Sequence, residues 1–234
     1  LYVRSISRGI TGVSVDDLTA RARIRDAAIE AFAAQGFDAT VREIASRAGV
    51  SPGLITHHFG SKDALREECD TEVLRRVLEL KIDGVRRSTG DAVAMIAELD
   101  DFGPTFGYTL RSVREGGEAG RAFLTHMIDD AMIYTAEAVD SGKVRPSLDP
   151  RARVELLVTQ SIGGMILQLT LHGDVDLSDG AAIMRRISES SSLVLLELYT
   201  QGLLTDSSLF DEYVRQLPSS AKPQHHNTRK GPKS

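Results

Sequence analysis

The sequence predicts an all-α protein in which a small three-helix unit is joined to a larger helical one. Three observations carry this. Apolar residues recur at spacings of three and four along most of the chain; glycines punctuate them at intervals; and β-branched alternation is scarce, with nothing that reads as a strand. The 234 residues suffice for two domains with a sizeable core, and 26% charged residues with no Trp suit a water-exposed helical protein. No unbroken run reaches the eighteen or so apolar residues a membrane span needs, so no membrane partner is expected. The N-terminus lacks a basic-then-apolar signal pattern, and the single Cys69 has no internal disulfide partner, so a reducing cytoplasm is the expected compartment. The chain opens on Leu1 rather than Met, which points to a trimmed or fragmentary start.

Residues 1–17, rich in Gly, Ser and Thr without helical periodicity, are expected to form a flexible arm, from which Arg4 or Arg8 could reach a DNA minor groove. From Leu18 the pattern changes. Ile24, Ala27, Ala28, Ala31 and Phe32 mark a helix over 19–35 that Gly36 stops, with Phe37 packing back on the core. Thr40 and Glu43 form a Thr-x-x-Glu capping box at the start of a short second helix, whose apolar face is Ile44, Ala45 and Ala48. Gly49 can take the left-handed conformation that ends it while Val50 tucks inside. Ser51 is placed to cap a third helix, Pro52 occupies its first turn, and Leu54, Ile55 and Phe59 supply its buried side. Ser61 caps a long fourth helix that runs from Lys62 to about Val85. The first unit is thus expected over 18–65 and the second over 66–217, sharing that fourth helix. Further helices are expected over 91–100, 104–115, 119–140, 150–172, 179–202 and 207–216, and disorder over 218–234.

The second and third helices with their tight turn read as a helix-turn-helix, the third being the candidate reader of DNA. Charge limits how it can bind. The net charge is -5, and by formal count residues 18–65 carry six basic groups against five acidic, while 66–217 carry 16 against 26. An acidic chain of this kind is a poor general polyanion binder, so contact with DNA depends on locally placed groups. With Ile55 and Phe59 facing inward, Pro52, Gly53, Leu54, Thr56 and His57 face outward: Gly53 allows close approach of a backbone, Leu54 can touch a thymine methyl, and Thr56 and His57 can reach phosphate or base. His58 is expected to bridge the third helix to the fourth.

The ordered set Asp26, Phe32, Gly36, Phe37, Thr40, Arg42, Ile44, Ala48-Gly49-Val50-Ser51, Gly53, His58-Phe59, Ser61-Lys62 and Leu65 resembles the DNA-binding domain of TetR-type transcriptional repressors over about residues 21–65. The resemblance implies an all-helical homodimer with an N-terminal helix-turn-helix DNA-binding domain and a larger helical ligand-binding and dimerisation domain. It places Arg42 where its planar fork can reach a guanine edge, worth about 1–3 kcal/mol of discrimination, rather than merely pairing with Glu43. It also implies that Thr40 and Lys62 contact phosphate, Lys62 at a helix N-terminus that itself favours anions. Where many members have Tyr this chain has Thr56, a shorter group, so His57 is expected to take that contact.

The implied function is a repressor released from a palindromic double-stranded operator by a small, largely apolar ligand. The dimer is expected through the helices near 150–172 and 179–202, whose stripes (Leu156, Leu157, Ile162, Met165, Ile166, Leu169; Ile183, Ile187, Val194, Leu195, Leu198) sit beside the small residues Ser161, Gly163, Gly164 and Ser190 to Ser192. Phe102, Phe106, Tyr108, Met127, Met132, Tyr134, Met165 and Gln168 are candidates to line a ligand pocket, each otherwise serving as ordinary core. The alternative is a DNA-binding regulator with no small ligand, controlled by a protein partner or by abundance. A solid C-terminal core would favour it. An enzyme is not expected, since the sequence holds no phosphate-binding glycine loop, no Cys-His metal spacing and no nucleophile elbow. No cofactor and no metal are expected.

Overall fold

The computed structural model describes residues 15–91, 102–171 and 179–218. Nine helices follow one another there: α1 (Val15–Gln35), α2 (Val41–Ala48), α3 (Pro52–Phe59), α4 (Lys62–Arg86), α5 (Gly103–Glu115), α6 (Gly117–Asp140), α7 (Pro150–Leu171), α8 (Gly180–Gln201) and α9 (Ser208–Gln216). No strand occurs among the described residues. The boundaries meet the sequence expectation to within a residue or two except in α1. That helix begins at Val15, inside the expected arm, because apolar periodicity registers only the turns that face a core. The helix expected over 91–100 and most of the arm and tail lie outside the described residues.

Helices α1 to α3 close over Ile24, Ala28, Ile29, Phe32, Ile44, Ile55 and Leu65, each almost wholly excluded from solvent. The start of α2 is the predicted capping box: Glu43 N–H donates to Thr40 Oγ1 at 3.3 Å, and Thr40 N–H donates to Glu43 Oε2 at 2.7 Å. At its end Gly49 stands at φ 66°, Val50 N–H donates to Ala45 O at 3.0 Å, and Val50 packs on the core, so the chain reverses with its last carbonyls satisfied. Ser51 departs from expectation. It sits at the N-cap position of α3, but its side chain makes no capping hydrogen bond; the Leu54 N–H, which a cap would satisfy, donates instead to the Ser51 carbonyl at 3.0 Å. Ser61 does cap α4, accepting from Ala64 N–H at 3.0 Å.

Polar contacts bind α1 to α4. Arg21 donates to Glu68 at 3.0 Å and to the His58 carbonyl at 2.6 Å, with its guanidinium 4.5 Å from the Phe59 ring centre. Glu72, buried on α4, gathers Arg75, Arg76 and Arg25 within 2.8, 2.7 and 3.4 Å, and Arg76 also reaches Asp26 on α1. Arg75, Arg76 and Arg25 hold the Glu72 carboxylate down at about 2, with burial opposing them.

In the second half, α5 is the central strut, packed on α1 at one side and on α8 at the other. Its start meets the start of α8 so closely that a Cβ at Gly103 would lie 2.7 Å from Ala181 N, and one at Gly180 would overlap the Gly103 carbonyl. Glycine is required at both positions by this crossing. Helix α7 carries a window of mean hydropathy 1.4 and is long and apolar enough to cross a membrane by length and composition. An unbroken-run count overlooks it because Thr159, Gln160 and Ser161 interrupt the apolar residues.

Candidate nucleic-acid interface and ligand cavity

Thr40, Arg42, Ser51, Pro52, Gly53, Thr56 and His57 are all exposed, on α2, α3 and the turn between them, while Leu54 and Lys62 are half-buried. Two helix N-termini meet along this surface. Thr40 holds the Glu43 carboxyl below its usual range through its backbone and side-chain hydrogen bonds, and Lys62 lies near enough to add a smaller effect of the same sign. The Glu43 carboxylate takes both the Thr40 N–H and the Thr40 hydroxyl, at 2.7 and 2.8 Å, so the ammonium of Lys62 at the N-terminus of α4 is the group here left open to a phosphate. Of the six basic residues in this unit, Arg21, Arg25 and Arg47 are engaged by carboxylates. Among the described residues Arg42, Lys62 and Arg23 have no ion pair, so what positive charge is on offer is placed rather than diffuse.

The outward side of α3 differs in two respects from its sequence reading. Leu54 packs partly against the core, leaving only part of its side chain for an external contact. Thr56 turns its hydroxyl back toward Pro52 O at 3.5 Å, so His57 is the longer exposed polar reach on this helix. Gly53 is bare for no internal reason. A Cβ there would meet only Ser51 Oγ at 3.9 Å.

A cavity of about 270 Å³ opens behind this head, enclosed by α4, α5, α6, α7 and α8. Phe102, Phe106, Met127, Tyr134 and Met165, five of the eight expected pocket residues, line it. The other three do not. Tyr108 is fully buried on the opposite side of α5, edge-on to Phe37 at 5.3 Å, and donates to Asp70 Oδ1 at 2.7 Å, because an aromatic ring with one polar atom is held where that atom finds an acceptor. Met132 faces a separate hollow beside Val139 and Pro150, and Gln168 lies off the cavity wall on the last turn of α7. Residues not singled out from sequence complete the wall: Leu74, Val77 and Lys81 of α4, Thr109 of α5 and Asp130 of α6. Burial raises the Asp130 carboxyl, with His126 opposing, and the protein mass around the exposed Lys81 lowers its ammonium.

Helix α5 connects this cavity to the head. Phe106 and Thr109 face the cavity, whereas Arg111 donates to the Ala33 and Ala34 carbonyls at the end of α1, both at 2.6 Å. Arg66 of α4 lies 3.6 Å over the Phe37 ring and pairs with Glu115 at the end of α5. Sequence reasoning had no signal for Arg111 or Arg66, whose partners lie far away along the chain.

The head and the rear each match a family description: "Bacterial regulatory proteins, tetR family" over residues 24–69, and "Tetracyclin repressor-like, C-terminal domain" over 100–205. The HTH-type transcriptional regulatory protein RaaS of Mycobacterium tuberculosis is 39% identical over 201 residues, covering 86% of this chain and 94% of that protein. The chain belongs to the TetR family. It is a transcriptional regulator with a DNA-binding helix-turn-helix, in a family of regulators rather than enzymes, whose members bind operators as dimers. A further relative, BetI of Escherichia coli, is 29% identical over 138 residues, covering 58% of this chain and 69% of that protein. Two solved TetR-like structures share the fold: FadR from Bacillus subtilis in complex with stearoyl-CoA (TM-score 0.52, 21% identity, 78% of this chain and 99% of that one) and Salmonella enterica GusR (TM-score 0.52, 22% identity, 79% and 96%).

Proposed function

We propose that this TetR-family chain is a cytoplasmic repressor that binds a palindromic operator as a two-fold dimer and is released by a small, largely apolar ligand. Residues 18–65 act as the reading head and 66–217 as the ligand-binding and dimerisation unit. The supporting observation is that the head and the cavity share α4 and α5: α4 carries Lys62 at one end and Leu74 and Val77 further along, and α5 faces the cavity with Phe106 while gripping α1 with Arg111. A ligand that prefers a wider cavity favours a conformation in which α4 and α5 have shifted, moving the head with them, and operator affinity falls by the differential affinity of the two states. Arg42 reads a base; Thr40, Ser51, Pro52, Gly53 and Lys62 meet the backbone; His57 with Thr56 and Leu54 sets local preference.

The dimer reading is supported by uncovered apolar surface. Leu156 of α7 and Val194, Leu195 and Leu198 of α8 are 42–61% exposed, and a Cβ at Gly163 or Gly164 would meet nothing. Ile162 and Ile183, from the same expected stripes, are instead buried within the chain. A two-fold pair sets the reading helices about one DNA turn apart, roughly 34–36 Å. DNA selected in vitro by the full chain, then titrated with and without ligand, tests the whole reading. The expected outcome is a palindrome bound by a dimer and weakened by ligand; a stable monomer at micromolar concentration in the ultracentrifuge, or ligand binding that leaves operator affinity unchanged, refutes the corresponding part.

A further inference from the structure

The cavity wall carries a charge where its helix otherwise places apolar groups. Leu74, Val77 and Lys81 follow one another at three and four residues along α4, so Lys81 occupies the next position of the stripe that faces the cavity. Its side chain is exposed within the open cavity, and the protein mass packed around the site lowers its pKa. Among the described residues no carboxylate pairs with it. Asp130, the other charge on the wall, is influenced by His126 and Asp129 instead, and its burial favours the neutral acid. In the open cavity the exposed ammonium is solvated, but an apolar ligand that fills the cavity strips that solvation, and the cation then costs free energy unless the ligand itself compensates it.

We propose that the cavity takes an amphipathic monoanion, an apolar body ending in a single carboxylate or similar acid, with the acid seated on Lys81. This rests on the reading that the cavity is a ligand site and adds the chemical class. The apolar body would lie along Leu74, Val77, Phe106 and Met127, and the volume, at the small end of the range for ligand pockets, suits a short or medium chain. An uncharged ligand of equal length would leave Lys81 uncompensated, and a cationic one would face it directly.

The test compares three eight-carbon probes, octanoate, 1-octanol and octylamine, by calorimetry on the 234-residue chain. Octanoate is expected to bind at least about 10-fold more tightly than 1-octanol, with octylamine weakest, because a charge-assisted hydrogen bond in a sheltered site is worth about that much. Lys81→Met should erase the octanoate advantage while leaving 1-octanol binding and the melting temperature in place, and Lys81→Arg should restore it. Equal binding of octanoate and 1-octanol, undiminished octanoate binding by Lys81→Met, or no binding of any probe would overturn the proposal. Operator affinity is measured separately: octanoate bound through Lys81 without operator release supports the anion site and refutes ligand control alone.

Discussion

In α1 the side chains of Ile24, Ala27, Ala28, Ile29, Ala31, Phe32 and Ala33 are no more than 6% exposed, whereas in the last two turns of α8 Leu193, Val194, Leu195, Leu196, Leu198 and Tyr199 stand 42–79% exposed. Both stretches are apolar. The difference lies in where the partner surface comes from. Helix α1 finds its cover in α2, α3, α4 and α5 of the same chain, and its charges are met by Glu68, Glu72 and Arg76. The end of α8, together with Leu203, Leu204, Leu209, Phe210 and Tyr213 in and before α9, has no such cover among the described residues. Apolar patches of this extent on a water-exposed protein mark an association surface, which fits the dimeric habit of the family. Burial within the chain therefore separates a part that covers its own apolar side chains from one that leaves them exposed.

The widest separation should come from substitution in the two regions. Phe32→Ala removes a fully buried ring and should cost about 3–5 kcal/mol of stability, read as a lowered urea midpoint. Val194→Asp with Leu198→Asp should leave helix content intact but yield monomers in the ultracentrifuge and lower operator affinity at least about 100-fold, because the second head no longer binds as part of one molecule. A double variant that stays dimeric would break the contrast.

Acid should act on the head through a smaller effect. Glu72 titrates near 2 in the folded chain against an ordinary 4.5, so its folded value is depressed. Its stabilisation is complete above pH 4.5 and is lost as pH falls toward 2, amounting to roughly 3 kcal/mol. Denaturant titrations of the chain and of Glu72→Gln at a series of pH values read this directly. The variant should show a flatter acid limb, and identical limbs would remove Glu72 as the cause.

The smallest effects belong to the DNA surface, where the fold is indifferent and binding is not. Arg42→Ala should lose about 1–3 kcal/mol at one base per half-site. Gly53→Ala, which the protein interior tolerates, should weaken every operator by roughly 1 kcal/mol through crowding of the DNA backbone. Lys62→Gln should lower affinity for all sequences and flatten the salt dependence by about one unit of slope per half-site. Competition binding across a selected operator pool distinguishes the three; a uniform loss from Arg42→Ala would deny its base contact.

Much of the head was legible because its determinants are local. Thr40 and Glu43 lie three residues apart, Gly49 follows Ala48 directly, and Ser61 caps an amide three residues on, so each signal and its hydrogen bond fall within one turn. The cavity was legible only in part. Phe106 and Met165 were recognisable as apolar residues on amphipathic helices, but the same description fits Met132, which faces elsewhere, and Tyr108, which serves the core. Lys81 did leave a trace, a cation in register with Leu74 and Val77, although such a residue also suits a solvent-facing turn.

By itself the sequence determined the all-α class, the helix ends apart from the start of α1, and the helix-turn-helix with its exposed Arg42, Gly53 and His57, because capping, turn conformation and facial periodicity are set by neighbours within about one turn. Only the tertiary structure decided which apolar stripe turns inward, with Ile162 and Ile183 buried and Val194 left outside. It alone brought Arg111 to the end of α1 and gathered Lys81 with Phe106, Met127 and Met184 around one cavity. Those meetings depend on how whole helices cross, and no spacing along the chain records a crossing.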